Sequence, residues 1–444
     1  MRTFARVLAG VLSVWVVSGV SAYAETQIPG SFLVTLQARS NAAAAREWIA
    51  RRGGLLVPIR GSTRLWEVVE LIGYSEQDLA ETGLFDGVEQ DHWVETVQGP
   101  LLPEAPFSLL PESFSFFAPL DRAVSISADS TRYPSELKPG ANWALERIQA
   151  PQAWIRRTST DDIVVAVLDS GVDITHPDLK DNIWINPREI AANGLDDDKN
   201  GWVDDIHGYD SHYEKVEVQD EVGHGTSLAG IIGAVGDNST GTTGVAWKTR
   251  MMVVRGDDHR RMSWTGAVKG AYYARDNGAK VINASWGTYS ATMGLREMVR
   301  DMESSGVMVV NAVGNNGNNI DTEYRAYPAG YATSNLIVVT GLHPNGGLVH
   351  YADYGPKYVH IAAPGWANPT TMLGGKYGVQ AGCSVAAPYV TGAVALLWAE
   401  HPDWTHQQVR ERLFETVDPV PALRDKVATG GVLNVARALG VSGE

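Results

Sequence analysis

The sequence predicts an α/β protein built on a doubly wound, mostly parallel sheet, preceded by a small α+β unit of ferredoxin-like plan. Two observations carry the larger unit. From residue 133 onward, apolar runs recur without polar alternation: Ile163 to Leu168, Met251 to Val254, Val281 to Ala284, Val307 to Ala312 and Leu336 to Thr340. Strands buried on both faces read this way, and helical stretches between them supply the crossovers that parallel neighbours require. The third observation concerns residues 25–98. Phe32 to Leu36, Gly54 to Ile59, Leu65 to Leu71 and Gly87 to Val97 read as strands, with Ala42 to Ala50 and Ser75 to Glu81 as helices. That β-α-β-β-α-β order defines a fold plan but no chemistry.

Two segments fall outside these units. Residues 1–24 have a basic start at Arg2 and Arg6, an apolar run from Val7 to Val20, and the small-residue close Ala22-Tyr23-Ala24. This is the pattern of a cleaved export signal. An uncleaved anchor is the alternative, but the run is shorter than the roughly 20 residues a spanning helix needs. Residues 99–132, punctuated by Pro103, Pro106, Pro111 and Pro119, have no clean period and read as a linker. The expected organisation is therefore signal 1–24, N-terminal unit 25–98, linker 99–132 and main domain 133–444.

Composition narrows the function. The 444 residues carry a formal net charge of -15, which excludes the clustered basic surface of a nucleic-acid binder. With Cys383 as the single cysteine, no intramolecular disulfide can form, so an exported chain would rely on core burial and bound metal.

Three segments carry chemistry. Strand Ile163 to Leu168 runs into Asp169-Ser170-Gly171-Val172-Asp173, placing a carboxylate past the C-terminal end of a buried strand, where open α/β sheets hold their sites. Taken alone, such an Asp is as often a helix cap. His224 is flanked by Gly223 and Gly225 and opens a helical run, so other groups can approach the ring closely. Ser384 follows Gly382-Cys383 at the start of another helical run, where free backbone N–H groups can stabilise an oxyanion. Alone, Ser384 would be a plain N-cap. Pro388, several residues into that helix, breaks a local rule and marks the segment for attention.

Together, Val164 to Asp178, Gly223 to Ile232 and Gly382 to Gly392 resemble the Asp, His and Ser motifs of the subtilisin-like serine proteases, in that family's chain order. The resemblance covers about 140–442 and implies a subtilisin-like fold. It also implies a serine endopeptidase that acts on protein or peptide substrates, with Asp169, His224 and Ser384 as its triad. It further implies that Asn315, in Val313-Gly314-Asn315, is an oxyanion donor. Substrate would lie as an extended strand between two edges, one at Ser285, Trp286 and Gly287, the other at His259 to Met262. Ala312, Gly314 and Ala326 to Ala329 would complete an uncharged primary pocket suited to apolar side chains. For Trp286, core packing is the alternative. Four residues depart from the family pattern, Ser227, Cys383, Val385 and Tyr389, and none removes a triad atom.

The loop from Asn193 to Asp205 concentrates oxygen ligands. Asp196, Asp198, Asn200, Gly201 and Asp204 match positions 1, 3, 5, 6 and 9 of a calcium loop, but position 12 is His207, so Asp205 or a distant group must close the site. A solvated acidic turn is the alternative; the resemblance favours a structural Ca²⁺. It also gives residues 25–98, with Val88 to Val94, the look of an inhibitory propeptide. The expectation is then a secreted (extracellular or periplasmic) zymogen, processed between about 97 and 132, partnered by its own propeptide, with no stable membrane association after signal cleavage. A catalytically silent peptide binder and a processing protease with one target are the rival readings.

Overall fold

The structure is a computed structural model that describes residues 27–36, 42–96, 131–258 and 261–441. The expected signal, most of the expected linker, and His259 and Arg260 of the expected substrate edge lie outside the described residues.

The N-terminal unit follows the expected order: β1 (Gln27–Leu36), α1 (Ala42–Ala50), β2 (Leu55–Pro58), β3 (Leu65–Val69), α2 (Glu76–Ala80) and β4 (Phe85–Thr96). Its strands pair antiparallel in the order β2-β3-β1-β4. Phe32, Val34, Ile49, Val68, Leu79 and Phe85 form a core of its own. Ser75 starts α2 with a capping box closed by Asp78, which satisfies N–H groups that the helix cannot.

The main domain opens with α3 (Trp143–Arg147), α4 (Ala150–Ala153), β5 (Ser159–Asp169), β6 (Gly208–Asp210), α5 (His224–Gly233) and β7 (Lys248–Arg255). A short hairpin, β8 (Asp257–Asp258) and β9 (Arg261–Ser263), leads into α6 (Trp264–Asp276). Then follow β10 (Ala279–Ala284), β11 (Trp286–Gly287), α7 (Met293–Ser304), β12 (Met308–Ala312), β13 (Leu336–Leu342) and β14 (Ile361–Pro364). The hairpin β15 (Asn368–Met372) and β16 (Lys376–Gln380) precedes α8 (Cys383–Glu400) and α9 (His406–Glu415). The short β17 (Asp418–Pro419), β18 (Gly431–Val432) and α10 (Val435–Ala438) close the chain.

The central sheet runs β17-β18-β14-β13-β12-β10-β5-β7-β6, with every pair parallel except β17 with β18. Helices α5 and α8 pack together against it, and α6 and α7 form a second pair. Helix α8 is long and apolar enough to cross a membrane, but it is buried along almost its whole length as the core helix. Because β5, β10 and β12 are parallel neighbours, the turns after Asp169, Ala284 and Ala312 emerge at the same sheet end. That shared end holds the site.

Candidate active site

Asp169 closes β5 with no exposed surface. Its Oδ1 lies 2.7 Å from His224 Nδ1 and accepts the Ser170 N–H at 2.8 Å. A carboxylate can only accept, so Nδ1 carries the proton and Nε2 keeps the basic lone pair. Burial works against an imidazolium at His224. The Asp169 charge and hydrogen bond, with smaller contributions from Asp257 and Asp220, outweigh it and hold the pKa above the ordinary histidine value.

His224 opens α5 behind Gly223, which is left-handed at φ 92. At Gly225 a Cβ would stand 2.1 Å from Gly171 O and 3.3 Å from Asp169 Cβ. Only glycine lets the helix come this near the Asp169 turn. The two segments are stitched by buried Asp220, whose carboxylate accepts from Ser170 Oγ, the Val222, Gly223 and Thr226 N–H groups, and Thr226 Oγ1.

Ser384 sits in the first turn of α8, which begins behind Gly382 at Cys383 and continues through Pro388. Proline cannot donate to the carbonyl four residues back, that of Ser384. The Ser285 hydroxyl donates to Ser384 O instead, at 2.9 Å. The residue that disturbs the helix therefore leaves a carbonyl that ties the first turn of α8 to the residue just before β11. Among the described residues, Ser384 Oγ and His224 Nε2 are buried atoms with no hydrogen-bond partner. They lie on two helices packed against each other, the arrangement expected of a nucleophile and base that engage fully only around a reacting substrate.

Asn315 follows β12. Its Oδ1 accepts the Cys383 N–H at 2.9 Å, which makes Nδ2 the donor end of the amide at the start of α8. Helix starts also leave their own first N–H groups without intrahelical partners. Cys383 itself is buried, and burial pushes its thiol up to about 12, so it is no rival nucleophile at neutral pH.

The two cleft edges are β11 and β9. Backbone pairs join Trp286 to Thr96 and Gly287 to Glu95 on one side, and Arg261 to Glu95, Val94 to Met262 and Trp93 to Ser263 on the other. Strand β4 of the N-terminal unit thus lies between both edges as the central strand. Of the expected edge, the described residues Arg261 and Met262 pair with β4, and Ser263 extends the pairing by one residue; Asp257 and Asp258 pair back on Met262 and Arg261. The backbone of Trp286 pairs with Thr96, while its buried indole donates to Leu168 O at 3.1 Å. Ser285 and Ala312 are buried beside it, and Asn311 Nδ2 holds both Ala284 O and Trp286 O.

Two carboxylates of β4 anchor the N-terminal unit. Glu89 accepts the Met293 and Gly294 N–H groups at the start of α7, and Asp91 accepts the Thr265 N–H at the start of α6. Both serve as helix caps supplied from another unit. Burial raises Glu89 to about 7 and Asp91 to about 6. Lys269 adds an ion pair to Glu67 at 2.6 Å.

In the acidic loop the structure gathers Glu189, Asp198 and Asp205, with ligand oxygens within 4.8 Å of one another. Asn200 Nδ2 bonds to Asp198 and Asp205. Asp196 and Asp204 instead accept backbone N–H groups that shape the loop: Asn200 and Gly201 for Asp196, Asn193 and Gly194 for Asp204. His207 Nδ1 is 3.1 Å from Trp184 O and points away from ligand duty. Glu189, which sequence reasoning missed, joins this cluster, and its oxygens also accept the Asp198 and Asp204 N–H groups. Burial and the Asp198 charge raise the Asp205 pKa. Such crowding of all-oxygen donors fits a hard divalent cation.

Comparison with known proteins places the chain in a family. The family model Peptidase_S8, described as the subtilase family, matches residues 160–441. Subtilisin-like protease 1 of Plasmodium falciparum (isolate 3D7) is 29% identical over 321 residues, 68% of this chain and 47% of that protein. Subtilisin E of Bacillus subtilis (strain 168) is 32% identical over 277 residues, 62% of this chain and 65% of that protein. The chain thus spans about half the length of the Plasmodium proteins it matches. Among solved structures, fervidolysin from Fervidobacterium pennivorans, a keratinolytic enzyme related to subtilisin, gives a TM-score of 0.73 at 23% identity. That match covers 93% of this chain and 61% of fervidolysin, and speaks for the fold.

Proposed function

The chain belongs to the subtilase family, and from that premise we propose that it is a secreted serine endopeptidase made as a zymogen, with residues 25–98 as its inhibitory propeptide. The observation that carries the reading is the 2.7 Å bond between His224 Nδ1 and Asp169, in a site where buried Ser384 follows Cys383, whose N–H donates to Asn315 Oδ1. Ser384 Oγ attacks the scissile carbonyl while His224 Nε2 takes its proton, and Asp169 remains ionised beside the imidazolium. Asn315 Nδ2 and the N–H groups at the start of α8 hold the oxyanion. On collapse the C–N bond breaks, and His224 returns the proton to the leaving amine. Water, deprotonated by the same nitrogen, then releases the acyl group.

The propeptide role is supported by β4, which fills the cleft as a substrate strand would. Export is supported by the leader pattern of residues 1–24. Mass spectrometry of the secreted protein tests both. The mature chain is expected to begin within a few residues past Thr96, in a cut that the Ser384→Ala variant does not make. An N-terminus at Glu25 in an otherwise intact, proteolytically active chain would count against processing.

Calcium is proposed as a structural ion at Glu189, Asp198 and Asp205; Asn200 turns its Nδ2 to Asp198 and Asp205 and its Oδ1 to the Trp202 N–H, so it braces the carboxylates rather than ligating. Bound there, the ion would offset the like-charge repulsion of the three carboxylates. Chelation is expected to lower the Tm by roughly 5 °C or more, because a tightly held ligand contributes about 3–4 kcal/mol to the folded state. Readdition of Ca²⁺ should reverse the shift, and an unchanged Tm would remove the ion from the account.

A further inference from the structure

We propose that Asp353 is a positioning residue for the peptidase reaction: its buried carboxylate grips the loop that presents Asn315 and ties it, through Tyr289, to the substrate edge. This rests on the serine peptidase reading of the site. Asp353 has no exposed surface. Its Oδ1 accepts the backbone N–H groups of Asn316 at 3.0 Å and Asn318 at 2.7 Å. Its own N–H donates to Gly314 O at 3.0 Å. The residues on both sides of Asn315 are therefore held by one side chain and its backbone.

The other oxygen, Oδ2, accepts from Tyr289 Oη at 2.6 Å, and that phenol accepts from Asn316 Nδ2 at 2.7 Å. Tyr289 stands two residues past Gly287, where β11 ends. Gly314, at φ 133, completes the fit: a Cβ there would lie 2.2 Å from Asp353 Oδ2. Only glycine lets a carboxylate reach so close beneath the loop.

The chemistry argues for more than stability. A buried carboxylate is costly, and an apolar replacement of similar volume often serves a fold as well. Burial raises the Asp353 pKa, while Tyr289 and the loop N–H groups pull it back towards ionisation. Those compensating donors belong to the loop that carries Asn315 and to the chain leaving the cleft edge. An oxyanion donor displaced by about 1 Å can cost on the order of 100-fold in rate, so a loop of this kind needs such a brace.

The test uses Asp353→Asn, which keeps the shape and removes the charge, and Tyr289→Phe, which removes one hydroxyl. Both are made in the wild type and in an Asn315→Ala background. Turnover of a chromogenic peptide anilide is normalised to active sites titrated with a fluorophosphonate. In the wild type, Asp353→Asn should lower kcat by about 10- to 100-fold with KM changed less than about threefold. Tyr289→Phe should lower kcat several-fold. In the Asn315→Ala background both effects should shrink to within about twofold, because the braced donor is gone. An unchanged kcat in Asp353→Asn, or losses that persist in full without Asn315, would overturn the proposal. If Asp353→Asn does not fold, Tyr289→Phe carries the same comparison. A wild type that neither turns over substrate nor takes up the fluorophosphonate would overturn the peptidase reading itself.

Discussion

Ser384→Ala is expected to lower kcat on peptide substrates by about 10⁶-fold, the size of loss that subtilisin itself shows when its nucleophile is removed. The expectation follows from how little else the site can offer. Cys383, the adjacent side chain with nucleophilic chemistry, is buried and held as a neutral thiol, with its pKa pushed up to about 12. Its sulfur lies 3.8 Å from Thr340 Oγ1. Ser384 Oγ makes no hydrogen bond among the described residues, so its loss should leave the α8 turn intact. The variant should therefore fold, bind its own N-terminal unit and remain uncut. Residual turnover within 100-fold of wild type, in protein shown by mass to be the alanine variant, would contradict the assignment.

Asp169→Asn should cost about 10⁴-fold in kcat at neutral pH. Asparagine fits the same space, but its amide can donate to Nδ1 and so favours the tautomer with the proton on Nε2, which cannot act as base. The pH profile separates this from a packing defect. Burial lowers the His224 pKa and the Asp169 carboxylate more than restores it. Without that charge the imidazole should deprotonate at lower pH. Activity requires neutral His224, so the acidic limb of the residual profile should move to lower pH. A loss under tenfold, or a limb that does not move, would show that Asp169 does not serve this histidine.

What was legible in the sequence follows from distance along the chain. Asp169, His224 and Ser384 could be singled out because each sits in a local motif: a strand end, a glycine-flanked histidine and a helix start; Asn315 was singled out by resemblance alone. Their contacts were not stated by any motif: the bond from His224 to Asp169 joins residues 55 apart and needed the fold. Pro388 was legible as an oddity. Its consequence, the bond from Ser285 to Ser384 O, joins residues 99 apart and needed the fold.

The groups that were missed are carboxylates whose partners are remote or generic. Glu89 caps a helix 204 residues away, and its segment, read as a strand with a propeptide's look, did not show that partner. Asp353 acts on a loop 35–37 residues earlier, through bonds to backbone that no side-chain pattern announces. Glu189 precedes the acidic loop and lies outside its spacing template, so the template could not bring it into the cluster with Asp198 and Asp205. Asp220 is only four residues before His224, yet Asp-to-His spacing alone does not separate a brace from a surface charge.

The central claim is that Ser384 is the nucleophile of a peptidase whose N-terminal unit occupies its cleft. Its most direct test is mass spectrometry of the protein after reaction with a fluorophosphonate, with the wild type compared before and after removal of residues up to Thr96 by processing. The account predicts one adduct, on the peptide containing Ser384, formed rapidly by the processed enzyme, slowly by the intact chain, and not at all in Asp169→Asn at matched times. An adduct on another residue, or none in the processed protein, would contradict it.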